Sequence, residues 1–176
     1  MATGTLLTLE EFARLPDEPG KQELSEGEVI VVPPAKFIHN KIARRLYDAL
    51  RDWSVANRIG EVWFEAGFQL GPRTVRQPDV AVALGEPVAP EDGWLQGPPD
   101  LAIEVLSSGN SAEDIETKIS QYLNAGARLV WIVSPKARHV RIYRADGTHT
   151  LLRGADNLTG VSVLPGFSLS LSELFA

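Results

Sequence analysis

The sequence predicts an α/β fold, with a mixed central sheet covered by helices on both faces. Three observations carry that expectation. Short apolar runs, "PDVAVAL", "DLAIEVLS" and "RLVWIVSP", have the composition of strands buried on both sides. Residues 36 to 58 place Ile38, Ile42, Leu46, Leu50 and Trp53 at helical spacing, as a helix with one buried stripe requires. "DLAIEVLS", the helical stretch after it and "RLVWIVSP" read together as a right-handed βαβ unit.

The elements follow in order. "TLEE" at residues 8 to 11 is a capping box that starts a short helix, which Pro16 ends. "QELSEGEVIVVP" reads as two strands around a turn at Glu26-Gly27. After the long helix, "EVWFEAGFQL" is read as one strand and "PDVAVAL" as another. Residues 85 to 99, rich in proline and glycine, form a long functional or mobile loop. "SAEDIETKISQYLNAG" is a helix, with Ser111 at its N-cap and Gly126 just past its end. "HVRIYRADGTHTLL" is a β-hairpin turning at Asp146-Gly147, added at the C-terminal side of the sheet. "FSLSLSELFA" ends in a short amphipathic segment. With no repeat, low-complexity tract or long linker, the reading is one domain over residues 1–176.

Composition narrows the function classes. The absence of cysteine excludes disulfides and thiolate metal sites and suits a reducing cytoplasm. "MATGTLLTLEEF" shows no signal peptide, and no apolar run reaches the ~20 residues that span a bilayer. A net charge of −6 argues against an indiscriminate nucleic-acid coat. The charge is unevenly spread: six bases and two acids lie from Lys36 to Arg58, and nine acids with no Lys or Arg lie between Arg76 and Lys118. Such a pattern fits solvated faces of both signs, or an acidic metal pocket beside a basic rim.

Two acids stand in apolar strands. Asp79 opens "DVAVAL", and Glu104 interrupts "LAIEVL". Strand alternation puts Glu104 on the face of Ala102 and Leu106, away from Leu101, Ile103 and Val105. Buried charges are paired or bind metals, so a salt bridge and a cation site both remain open here. On the next helix Ile115, Ile119, Tyr122 and Leu123 form the inward stripe, and Lys118 lies at its border. From Glu104 to the strand end, and from Ser111 to Lys118, the chain travels about 10 Å each way, so a returning helix sets Lys118 level with Glu104. A lysine at a helix border also snorkels commonly. Two carboxylates and a lysine suit a hard divalent cation and phosphoryl chemistry.

"QPDVAV", "PDLAIEVLSS" and "DIETKISQYLNAGARLVWIVSP", with "QELSEGEVIVVPP" and the histidine of "FIHNKIARRLYDAL", resemble the Uma family of restriction endonucleases, of the PD-(D/E)XK nuclease superfamily. The resemblance covers most of the chain. It implies a restriction-endonuclease-like fold, Asp79 and Glu104 as Mg²⁺ (or Mn²⁺) ligands, and Lys118 as the catalytic lysine. The usual E-x-K spacing would need lysine at 106, where this chain has Leu106; the lysine comes instead from the following helix. Glu23 matches a family position as a helper carboxylate or as the partner of a base. His39 would touch phosphate or cap local structure. Gln77 and Tyr122 stand as supporting positions, and Arg44, Arg45 and Arg51 as phosphate contacts.

The expectation is a cytoplasmic, Mg²⁺-dependent endonuclease acting on DNA as a homodimer. The hairpin and the terminal "LSELFA" would be the pairing surfaces, because exposed apolar edges tend to be covered. The alternatives are a non-catalytic dimeric scaffold of the same fold and a small-phosphoester hydrolase.

Overall fold

The computed structural model describes residues 6–16, 18–91 and 93–176. Residues 1–5, read above for a leader, and Asp17 and Asp92, the latter in the 85–99 loop, lie outside the described residues.

Helix α1 (Leu9–Phe12) begins with the expected capping box, Thr8 and Glu11 closing on each other. It ends a turn before Pro16, so the proline follows the stop and does not cause it. Strands β1 (Lys21–Ser25) and β2 (Glu28–Val32) form the predicted hairpin. Helix α2 (Phe37–Asn57) buries His39, Ile42, Leu46, Leu50 and Trp53. Ile38 was expected in this stripe but is 51% exposed. The buried line is set by His39, and Ile38 lies about 100° around the helix from it.

"EVWFEAGFQL" is two strands, not one: β3 (Glu61–Phe64) and β4 (Phe68–Gly71), which belong to different sheets. The chain breaks where Glu65 adopts a left-handed conformation, with φ of 50°. Gly67 follows, and a Cβ there would lie 2.5 Å from the Trp94 ring, so this crossing requires glycine. Strand β5 (Thr74–Arg76) was not read from the sequence; β6 (Val80–Ala83) was. The 85–99 loop contains a two-residue strand, β7 (Leu95–Gln96). Strand β8 (Leu101–Val105), helix α3 (Ala112–Ala125) and strand β9 (Leu129–Ser134) fall as predicted, with β8 and β9 parallel. The predicted hairpin is β10 (His139–Arg144) with β11 (His149–Arg153). A second C-terminal hairpin, β12 (Asn157–Gly160) with β13 (Leu164–Ser170), leads into helix α4 (Leu171–Leu174).

The large sheet has the order β11-β10-β9-β8-β6-β3, and a smaller sheet the order β2-β1-β5-β4-β7. Alternation along β8 divides the core. Leu101, Ile103 and Val105 pack with Ile42, Leu46 and Leu50 of α2 and with Leu158, Leu164 and Phe167 of the second hairpin. Ala102, Val130 and Ile132 face Ile119 and Tyr122 of α3. Full burial of each large aliphatic contributes roughly 1.5–3 kcal/mol, so both faces of the sheet are held. The terminal segment expected to pair with another chain is spent inside this one. Leu171, Leu174 and Phe175 are core residues, and Lys41, Arg45 and Arg138 donate to the carbonyls of residues 174–176. Among the described residues, no helix is long and apolar enough to cross a membrane.

Candidate active site at the junction of two sheets

Strands β6 and β8 pair antiparallel with Val80 opposite Ile103. Asp79 lies one residue outside the paired segment and bonds to β8 on either side of Glu104. The Asp79 amide donates to the Ile103 carbonyl (3.0 Å), and the Val105 amide donates to Asp79 Oδ2 (2.7 Å). Helix α2 adds His39, whose Nε2 is 3.1 Å from the same oxygen. Lys21 of β1 donates to the other oxygen, Oδ1. Burial raises the pKa of Asp79, but the His39 hydrogen bond and the Lys21 charge outweigh it, and the pKa falls to about 2. The same contact raises the pKa of His39 against its own burial. Its Nδ1 is buried without a hydrogen-bond partner among the described residues.

Glu104 is held from α3. Tyr122 donates its hydroxyl to Oε1 (2.9 Å) and Lys118 its ammonium to Oε2 (3.0 Å). Lys118 therefore does reach inward, level with Glu104. Burial raises the pKa of Glu104 despite Lys118, and Asp79 and Glu23 add to the rise. The pKa of Lys118 is also raised: burial opposes its charge, but Glu104 and Glu23 more than offset that.

The small sheet supplies the rest. In "KQELS", alternation turns Lys21, Glu23 and Ser25 toward the site and leaves Leu24 in the core with Phe12 and Val75. Glu23 is 0% exposed. Its Oε1 accepts from Lys118 (3.0 Å) and the Gln77 amide (3.1 Å), and its Oε2 from Arg76 Nη1 (2.8 Å). Burial raises its pKa, but Lys118 and Arg76 reverse the direction, so it is lowered overall. Glu23 thus pairs with two bases, and both of its oxygens are engaged. Arg76 also reaches Gln121 (2.6 Å) and Ser25 (2.9 Å), tying α3 to the small sheet. Gln77 hydrogen-bonds through its side chain to the Glu65 carbonyl.

Sequence reasoning missed Lys21, Arg76, Ser25 and Gln121. The alternation of "KQELS" carried a signal for two of them.

The three arginines read as phosphate contacts have partners of their own in the fold. Arg44 pairs with Asp48 on its own helix, Arg51 with Asp52, and Arg45 with the carbonyls of Leu174 and Ala176.

Carboxylates are the hard oxygen donors that Mg²⁺ and Mn²⁺ prefer, so the donor chemistry of Asp79 and Glu104 fits such an ion. Among the described residues, no group of three His, Cys, Asp or Glu side chains stands ready to hold one.

A family model described as "Uma2: Putative restriction endonuclease" matches residues 9–172. The chain belongs to the Uma2 family. A solved structure described as that of "a putative nuclease belonging to DUF820 from Anabaena variabilis" matches with a TM-score of 0.85 at 24% identity, over 96% of this chain and 97% of that one. That likeness shows a shared fold. Among curated proteins, none matches. Within the Uma2 match fall both strand acids, the α3 lysine and the small-sheet residues that pair with them.

Proposed function

We propose that this Uma2 chain is a divalent-metal-dependent endonuclease, acting on DNA in the cytoplasm as one domain over residues 1–176. The observation that carries the reading is Asp79 bonded to β8 on both sides of Glu104, through the Ile103 carbonyl and the Val105 amide, with Lys118 donating to Glu104 at 3.0 Å. Asp79 and Glu104 would hold Mg²⁺ or Mn²⁺, which supplies polarisation of a phosphoryl oxygen and a more acidic water. The chain's own residues do the remaining work. The Val105 amide and His39 fix Oδ2 of Asp79, and Tyr122 fixes Oε1 of Glu104, so both carboxylates are oriented before anything binds. Lys118 keeps its charge and presents an ammonium beside Glu104, where it offsets charge growing on a phosphate under attack or orients the attacking water. Hydrolysis then puts the water's hydroxyl on phosphorus and its proton on the leaving oxygen.

Cutting both strands of a duplex calls for two sites, which a twofold homodimer supplies. With the terminal segment buried, the pairing surfaces would be sheet edges, β11 of the predicted hairpin and β2, which exposes Val29 and Val31, among them.

The test is plasmid cleavage with Mg²⁺, with Mn²⁺ and with a chelator, for the wild type and for Asp79→Asn and Glu104→Gln. Metal-dependent nicking or linearisation, lost in both variants, supports the reading. A wild type that leaves DNA intact under every metal condition overturns it.

One observation favours the non-catalytic scaffold instead: each buried acid of the site already has a base as partner. That reading expects dimerisation and stability to be unaffected by chelator and no cleavage at any metal concentration.

A further inference from the structure

Lys21 and Lys118 are both ammonium groups on site carboxylates, yet their settings differ. Lys118 lies between two buried carboxylates, Glu23 and Glu104, each at 3.0 Å. Lys21 lies between buried Asp79 and the carboxylate of Glu65, whose side chain is 37% exposed and whose Oε1 is 3.3 Å away. Asp79 Oδ2 is taken by the Val105 amide and His39, so Oδ1, under Lys21, is the oxygen left for a cation. Glu65 is anchored beside it. Its amide donates to the Asp79 carbonyl (3.2 Å), and its own carbonyl accepts from Gln77. The main chain at Glu65 is thus held at both its amide and its carbonyl, while its side chain stays partly exposed.

We infer that Lys21 is the resident counter-cation of the Asp79 site, and that it yields Oδ1 to a divalent ion by moving onto Glu65. The inference rests on the metal-dependent reading above. A buried carboxylate without a cation is costly, and two cations cannot share one oxygen at contact distance without strong repulsion. Lysine suits the exchange. Its charge is a compact point on a flexible stem, and Glu65 stands within reach of that stem. Lys118 has no exposed second partner and stays in place.

Mn²⁺ alone, without DNA, is the probe, and titration calorimetry on the full chain the readout. Lys21→Met removes the competing charge and keeps the stem. A full charge at contact distance shifts a carboxylate's proton affinity by one to three decades, so Mn²⁺ should bind at least about tenfold more tightly to this variant. Glu65→Gln removes the berth. It should weaken Mn²⁺ binding in the native background and have little effect in the Lys21→Met background, a coupling that general loss of negative charge would not produce.

Binding by the wild type with no gain in Lys21→Met overturns the counter-cation role alone. An equal Glu65→Gln effect in the two backgrounds does the same. Absence of Mn²⁺ binding in both the wild type and Lys21→Met removes the metal-dependent reading along with it. Should Lys21→Met not fold without metal, Glu65→Gln in the native background decides, and an unchanged affinity there overturns the proposal.

Discussion

Glu23→Gln tests how the site is held together. The substitution keeps shape and removes one negative charge from a side chain that is 0% exposed. In the native protein that charge faces Arg76 at 2.8 Å and Lys118 at 3.0 Å, and accepts the Gln77 amide at 3.1 Å. A glutamine keeps one acceptor, turns an NH₂ toward a cation, and leaves Arg76 without a carboxylate partner. Breaking a buried ion pair from one side costs about 3–5 kcal/mol, since the surviving charge stays desolvated. For a domain stable by about 5–15 kcal/mol that is a large fraction. Urea unfolding followed by circular dichroism at neutral pH, with metal chelated, measures it; the midpoint should fall with little change of slope. Adding Arg76→Met should cost less than the sum of the two single changes, because they share one interaction. A loss for Glu23→Gln below about 1 kcal/mol would refute the reasoning, since it would mean the contacts contribute no more than an exposed pair.

Three further outcomes follow from the same contacts. Lys118→Ala should reduce metal-dependent DNA cleavage on the order of 100-fold or more, read as a single-turnover rate; a rate equal to wild type would leave Lys118 only a structural partner of the acids. Asp79 binds its proton less readily in the fold, at about 2, than its ordinary 3.8. It should therefore contribute about 2 kcal/mol that is fully present above pH about 4 and lost as pH falls toward 2. Unfolding measured across that range should lose the dependence in Asp79→Asn. Arg45→Ala, by freeing the carbonyls of Leu174 and Ala176, should cost about 1–3 kcal/mol in stability. It should leave the salt slope of duplex binding unchanged, and a slope reduced by about one would return Arg45 to the phosphate contacts.

The large sheet was legible because its signals are local. Apolar runs and one helical stripe place β6, β8, α3, β9 and α2, and the strand parity of Glu104 correctly assigns Ala102 to the α3 face. Lys118 could be brought to Glu104 from strand and helix rise alone, since a helix following its strand returns along it. The small sheet was not legible, for three reasons. The break inside "EVWFEAGFQL" depends on one left-handed residue, Glu65, which a sequence window reads as part of the strand. The three residues of β5 are too few for periodicity to declare them. Lys21 and Arg76 look like ordinary surface bases until β1 and β5 are laid against α3. The partners of the basic helix were not legible either: a run of charge along a helix says nothing of which charges, here those of Lys41 and Arg45, bond to the chain's own carbonyls.

The small sheet has consequences beyond completing the fold. Its apolar support comes from Phe12, Leu24 and Val75 on one face and from Phe68 and Leu95 packed with Ala81 of the large sheet. On the other face it carries Lys21, Glu23 and Arg76, which engage Asp79, Lys118 and Gln121. The ion pairs that join it to the large sheet are therefore also those that neutralise the site's acids. With the hairpin withdrawn, Asp79 would lose Lys21, and Lys118 would keep only Glu104. Burial would then favour neutral forms of both acids, which coordinate a cation poorly. A carboxylate site for a hard cation must stay ionised yet not be expelled into water. In the proposed metal site, bases from both sheets outweigh burial at Asp79 and oppose it at Glu104, while amide and hydroxyl donors fix the orientation of each carboxylate.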